Sequence, residues 1–362
     1  MSNDNGKISV RQSLILFLML FCAPAVRYIP AYAIGKASQA AWLTIIPSFI
    51  FGIIYAFAWS GFLKKHDKKS LLDIINEITG KYIGGFIRVV FFLWITLLLA
   101  YYLRMYAERI LTSTMPNVNI IFLLSIMIIT LVHILKSGII PIAKMAEIFF
   151  IIIVALFFIY NLLVLPEIKI DNLLPVTFED TLPIIEGSAG FVTLFSYISI
   201  IFIFNDEIEH KGEFDKMKYS GLLVAMIGGL FFIAMPIAVF GASVSSKLPL
   251  PFFATMMQIN IFDVVERIES GIIVFWVISE FILMAVFIYS AMHILKKSFK
   301  LNNTRPLTMT YIIIIFFLSL ILAGSTLELK MLSESVITPL SIIVGYCLPI
   351  IIYIIGKIRK IV

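Results

Sequence analysis

Ten stretches of this chain, each of eighteen residues or more, are almost wholly apolar, and no other feature limits its fold as tightly. They run over about 11–34, 38–62, 84–111, 118–136, 139–164, 183–205, 219–243, 268–295, 307–324 and 335–356. A helix needs roughly 20 residues to cross about 30 Å of hydrocarbon. The runs are apolar on every face and lack the period-two alternation of barrel strands, so they read as helices. Of 362 residues, 61% are hydrophobic and 14% charged, where a soluble domain carries about a quarter charged residues. That excludes a water-soluble enzyme, a nucleic-acid-binding domain and a disordered chain. The sequence predicts an all-α integral membrane protein with ten transmembrane helices.

The net charge of +6 reads as topology rather than as a nucleic-acid partner. Grouping both termini with the even-numbered connections puts nineteen Lys and Arg on one side and five on the other. Four more (Arg27, Arg104, Arg109 and Lys144) fall within spans. Basic residues collect on the cytoplasmic side, so both termini are expected there. Lys7, Arg11, the run from Leu14 and Ala23-Pro24-Ala25 have the look of a cleavable signal. The apolar run continues to Ile34, however, and the first span is expected to stay. Cys22 and Cys347 lie alone in apolar runs, and His66, His133, His210 and His293 are far apart, so no disulfide framework or metal site is implied. No nucleotide loop or hydrolase motif occupies the short connections. Neither enzyme activity nor a cofactor is expected.

Ten spans divide into five and five, and an odd number per half inverts the second half against the first. A single transmembrane domain with inverted repeats at about 11–164 and 183–356 follows, with a substrate site near the midplane between interrupted helices. The first helix of each half should be the interrupted one. Span one carries Cys22-Ala23-Pro24-Ala25, and an interior proline removes a helix hydrogen bond. Span six carries Gly187, Gly190 and Ser196-Tyr197-Ile198-Ser199. Between spans two and three, Ser70-Leu71-Leu72-Asp73 reads as a helix cap ahead of an apolar face of Leu72, Ile75, Ile78 and Tyr82. A second short segment is expected on the outer face around Pro249, Pro251 and Phe252–Phe262.

Ionisable groups at bilayer depth are costly and mark either a site or a paired strut. Glu280 lies near the middle of span eight and is a candidate proton or ligand group. Lys144 and Glu147, three residues apart in span five, form either an ion pair or a coupling-ion site. Arg27 either meets a ligand carboxylate beside the break or snorkels outward. Arg104, Glu108 and Arg109 read as a solvated network near the outer interface, and Glu186 as a carboxylate at a helix start. Trp94, Tyr101, Met105 and Glu108 share one helix face. Asp206, Glu207 and Glu209 beside His210 and Lys211 read as a solvated cytoplasmic cluster.

The chain resembles the B subunit of GerA-type spore nutrient-germinant receptors, the endospore germination permeases of the amino acid–polyamine–organocation superfamily. The resemblance is carried by Ala-Pro-Ala-Val-Arg-Tyr-Ile-Pro at 23–30, Ala40-Ala41-Trp42-Leu43, and Lys-Lys-His at 64–66 with Ser70-Leu71. Further along come Glu266-Arg267-Ile268-Glu269-Ser270, Trp276, Tyr289 and Leu295-Lys296-Lys297-Ser298-Phe299. Two departures stand out: many relatives have a Gly-rich break in span one, and some have Gly-x-Glu where this chain reads Ser199-Ile200-Ile201. The resemblance implies a LeuT/APC-like fold in the spore's inner membrane, acting with a larger A subunit and a lipoprotein C subunit. It implies a small nutrient, usually an amino acid, bound in a transporter-like pocket. The expected ligand site comprises Ala23, Pro24, Ala25, Ser196, Tyr197 and Ser199, with Arg27 opposite a carboxylate and Tyr101 shaping the pocket. A proton- or cation-coupled amino acid permease using Lys144, Glu147 or Glu280 is the alternative. A structural subunit that holds the A subunit is a third.

Overall fold

With no water in the bilayer core, a spanning segment must satisfy its own backbone, and these apolar runs do so by coiling into helices. The computed structural model describes residues 7–26, 28–66, 68–113, 115–209, 214–248, 250–258 and 269–362. The first half holds α1 (Val10–Ala25), α2 (Tyr28–Ala37), α3 (Ile45–His66), α4 (Leu71–Thr79), α5 (Lys81–Ser113), α6 (Ile120–Leu135) and α7 (Ile139–Val164). The second holds α8 (Thr181–Phe195), α9 (Ile198–Phe202), α10 (Phe214–Phe240), α11 (Ala242–Ser245), α12 (Pro251–Met256), α13 (Glu269–Phe299), α14 (Arg305–Ile321), α15 (Thr326–Leu332), α16 (Thr338–Leu340) and α17 (Leu348–Ile358). Among the described residues, seven helical stretches are long and apolar enough to cross a membrane, and Val10–Ala25, Ile120–Leu135 and Arg305–Ile321 are shorter apolar helices. The sequence expectation of ten spans therefore meets seven of full length. The first is short because it is interrupted: sixteen residues rise only about 24 Å.

Packing sorts the helices into an inner group and a rim. α1 lies against α7, α10 and α13, α2 against α8, and α5 against α13. α13 is buried along most of its length, with Ile282–Phe287 fully enclosed. Ile129 on α6, Ile151 on α7 and Phe317 on α14 are more than half exposed, as a lipid-facing rim requires.

One end of the bundle gathers both chain ends. Strand β1 (Ile8–Ser9) pairs in parallel with β2 (Ile208–Glu209). Ser9 and Gln12 cap α1 reciprocally, and Gln12 donates to Glu147 at 2.9 Å. The His66 ring lies 3.2 Å from the Ile361 carbonyl oxygen, and Arg359 donates to the Ile78 carbonyl. The short amphipathic helix is present as α4: Ser70 caps it, and Leu72, Ile75 and Ile78 are buried. Tyr82 departs from the expected face and is 92% exposed. Gly80 has φ +86, which ends α4 and starts α5 in a new direction, carrying Tyr82 away. At the opposite end α12 is the second expected short segment; its flanks at 249 and 259–262 lie outside the described residues.

The last helix contains two π-helical stretches, Ser333–Ile337 and Ser341–Cys347. A Cβ built on Gly345 would come within 2.5 Å of both Ser196 Cβ and the Trp94 ring. Side chains from two inner helices thus sit where a larger residue would need room. Gly345→Ala is expected to lower the thermal-unfolding midpoint in detergent, by the equivalent of about 1–3 kcal/mol for overpacking. Gly85→Ala, with no atom within 4 Å of the added carbon, should leave it in place. Equal midpoints for the two variants would contradict the close approach.

Candidate functional site

Two helix interruptions face the interior. α1 runs through Pro24 and stops at Ala25, with the Val26 amide still reaching back to the Cys22 carbonyl at 3.4 Å. The break thus falls just beyond the proline that signals it, before α2 begins at Tyr28. The other interruption is tighter. At Ser196-Tyr197 the backbone shifts to three-residue turns, with Tyr197 N donating to Leu194 O and Ser199 N to Ser196 O.

Beside the first break lies a partly open cavity. Cys22, Ala23 and Val26 form one wall, Phe157 of α7 and Phe252 of α12 a second, and Trp276 and Ser279 of α13 the third. The surface is mostly apolar, with Cys22, Tyr160, Trp276 and Ser279 as the lining residues that carry a polar side-chain atom. Behind Trp276 stands a buried ion pair: Arg109 Nη1 lies 2.6 Å from Glu280 Oε1, with both side chains almost fully enclosed. The guanidinium carbon also sits 3.8 Å from the centre of the Trp276 ring, a cation–π contact. One turn away Arg104 pairs with Glu108 at 2.7 Å, and Thr326 of α15 donates to the same carboxylate. This corrects the expectation of a solvated network. α13 and α15 cover the last turns of α5, so these charges are paired within the protein.

The expected ligand residues divide between two places. Ala23 lines the cavity; Pro24 and Ala25 are buried in the same turn. Arg27 lies outside the described residues. The residues of the second interruption point elsewhere, into a polar seam. Ser196 donates to the Thr193 carbonyl at 2.5 Å, and the Tyr197 and Tyr102 hydroxyls meet at 2.6 Å. Ser199 donates to the Gly345 carbonyl at 2.7 Å, and Tyr55 donates to the same oxygen while lying 2.6 Å from the Ser199 hydroxyl. Tyr101 is buried edge-on against Tyr102. Lys144 is exposed, and Glu147 is held by Gln12. Glu186 lies in the second turn of α8, 3.7 Å from Lys36.

Sequence reasoning missed Tyr55, Tyr102 and Gly345, whose roles arise only across helices. The Arg109–Glu280 pairing left one signal: the two arginines of span three are matched by Glu108 and Glu280.

At the end bearing both termini, Asp206 and Glu207 also depart from the solvated cluster expected of them. His293 lies 3.1 Å from Asp206 and 3.5 Å from Glu207, one ring nitrogen toward each. Lys297 bridges Asp206 at 2.8 Å and Asp73 at 3.0 Å, and Tyr289 donates to Glu207. Burial alone would push the Asp206 carboxyl up, but His293 and Lys297 outweigh it and hold the group at about 2. Glu207 is likewise held low against burial by His293 and Tyr289. His210 and Lys211 lie outside the described residues.

Removing one member of a buried pair strands the other, at about 3–5 kcal/mol. Glu280→Gln and Arg109→Gln are each expected to lower the thermal midpoint sharply, and the double variant to recover much of that loss. Losses that simply add would mean the two groups do not stabilise one another.

The geometry can be set beside known proteins. A family profile described as spore germination protein matches residues 7–326. From Bacillus subtilis strain 168, spore germination protein YndE is 23% identical over a 369-residue alignment covering 99% of each chain. Spore germination protein KB from the same strain is 20% identical over 333 residues, 90% of this chain and 87% of its own. Among solved structures, Mhp1, a nucleobase-cation-symport-1 family transporter in a closed conformation with bromovinylhydantoin bound, superposes with a TM-score of 0.59. It covers 99% of this chain and 93% of Mhp1 at 12% identity, a likeness of fold. The profile spans most of the sequence, and the chain belongs to the spore germination protein family, as a multi-pass membrane protein with a transporter fold.

Proposed function

We propose that this protein is the membrane subunit of a nutrient germinant receptor, sensing a small nutrient in the cavity beside the break in its first helix. The observation that carries this reading is the partly open cavity itself, set against Ala23 and Val26 where α1 stops. The start of α2 turns the positive end of its dipole toward that break, which suits a carboxylate. An amino acid satisfies both features: its carboxylate at the break, with Arg27 as its cation, and its side chain against Phe157, Phe252 and Trp276. In this reading both termini face the cytoplasm, the two halves form a five-plus-five inverted repeat of ten spans, and larger A and lipoprotein C subunits complete the receptor in the spore's inner membrane.

Sensing is favoured over coupled transport by the state of the expected coupling groups. Glu280 is paired with Arg109 and Glu147 accepts from Gln12, while Lys144 is exposed; the buried pairing of Glu280 is the feature that favours sensing.

The test uses spores of a strain lacking the gene and of a strain carrying Ala23→Leu, with protein levels followed by immunoblot. Germination is scored against an amino-acid panel, and uptake is measured in growing cells. The deletion should abolish the response to one nutrient without changing uptake. Ala23→Leu puts extra carbons into the cavity wall and should raise the half-maximal nutrient concentration roughly tenfold. Lost uptake with normal germination would overturn the reading in favour of a permease.

A further inference from the structure

A second cavity, at the end of the bundle bearing both termini, is built for charge. α6, α13 and α14 converge there around a partly open space. Its polar lining comes from Glu207, Tyr289, His293, Lys296, Thr304, Arg305 and Thr308. Glu207 is the acidic residue among them, and its charge is already met by His293 at 3.5 Å and the Tyr289 hydroxyl. Asp206 and Asp73, the neighbouring carboxylates, are tied to Lys297. Lys296 is exposed and meets no carboxylate among the described residues. The Arg305 guanidinium donates at 3.2 Å to the backbone carbonyl of Lys136, a neutral acceptor that leaves its charge uncompensated. Among the described residues, no carboxylate pairs with either of these two cations.

We propose that this cavity binds the phosphate headgroup of an anionic phospholipid, with Lys296 and Arg305 as its charge partners and the acyl chains lying along α6 and α14. Basic pockets between helices at the bilayer surface suit phosphate in this way, and a guanidinium suits it as a two-pronged donor. The lipid, rather than free phosphate, is indicated by the continuation of the site. Leu135 and Met292 make part of the lining apolar. The same helices also carry exposed apolar side chains further along, Ile126 and Ile129 on α6 and Ile313 and Phe317 on α14. A soluble anion would use the cations alone; a phospholipid would use both. The proposal is independent of the nutrient site.

The test takes the full-length protein in nanodiscs of phosphatidylcholine doped with phosphatidylglycerol. Lipid retained after detergent extraction is identified by native mass spectrometry. The wild type should keep phosphatidylglycerol over phosphatidylcholine. The double variant Lys296→Ala, Arg305→Ala should lose that preference by roughly thirtyfold, at about 1 kcal/mol per cation near the surface. Lys296→Arg should retain it. The wild-type competition between the two lipids needs no variant to fold. Equal retention of both lipids by the wild type, or unchanged preference in the double variant, would overturn the proposal. So would inorganic phosphate displacing phosphatidylglycerol at millimolar concentration, because it would show that the tails contribute nothing.

Discussion

The Gly345 carbonyl is the point on which the interior of this protein depends. In a bilayer every interrupted helix must have its backbone satisfied by other parts of the protein. The π-helical stretch around Gly345 turns its carbonyl outward, and hydroxyls from Tyr55 and Ser199 both take it as acceptor. Trp94 donates to Ser341 one turn earlier, at 3.1 Å. Four elements, α3, α5, the second interruption and the last helix, are thereby joined at one place. The absent side chain of Gly345 allows the approach.

That junction gives the two interruptions different fates. The second is closed by its own three-residue turns and by the Tyr55–Ser199–Gly345 seam. The first ends beside a cavity. Its far wall, Trp276, is backed by the Arg109–Glu280 pair, so an apolar surface rests on a buried charge pair. Such a pair is weak evidence of added stability, since desolvation offsets much of the attraction. Its effect is geometric: it ties α5 to α13 and sets the ring that faces the cavity. At the other end His293 and Lys297 tie α13 to the segment after α9 and to α4. α13 is thus fixed by charge at Glu280, near its middle, and at His293 and Lys297 toward its end, with apolar packing between.

Much of this was legible in the sequence. Apolar run length gave the membrane class, because hydrocarbon thickness sets a minimum that soluble helices rarely meet in such numbers. Pro24 marked the first interruption to within a few residues, since a proline acts through its own missing amide. The serines at 196 and 199 marked the second. What the sequence could not carry was the destination of each polar group. Ser199 as ligand contact and Ser199 as donor to Gly345 are the same residue in the same turn, and only the neighbouring helix decides between them. A π-helical turn has no compositional signature, so Gly345 read as an ordinary glycine. Arg109 near a span end read as solvated because a covering helix cannot be inferred from the helix it covers. Tyr82 was misplaced for a local reason: periodicity was continued through Gly80, whose positive φ ends the helix.

The central claim is that a transporter fold here holds a nutrient without moving it. The most direct measurement reconstitutes the purified protein in liposomes and follows one labelled germinant amino acid in two ways, equilibrium binding and time-dependent entry. The account predicts saturable binding with no entry above that of protein-free liposomes. Sustained entry, or accumulation driven by an imposed proton or sodium gradient, would contradict it.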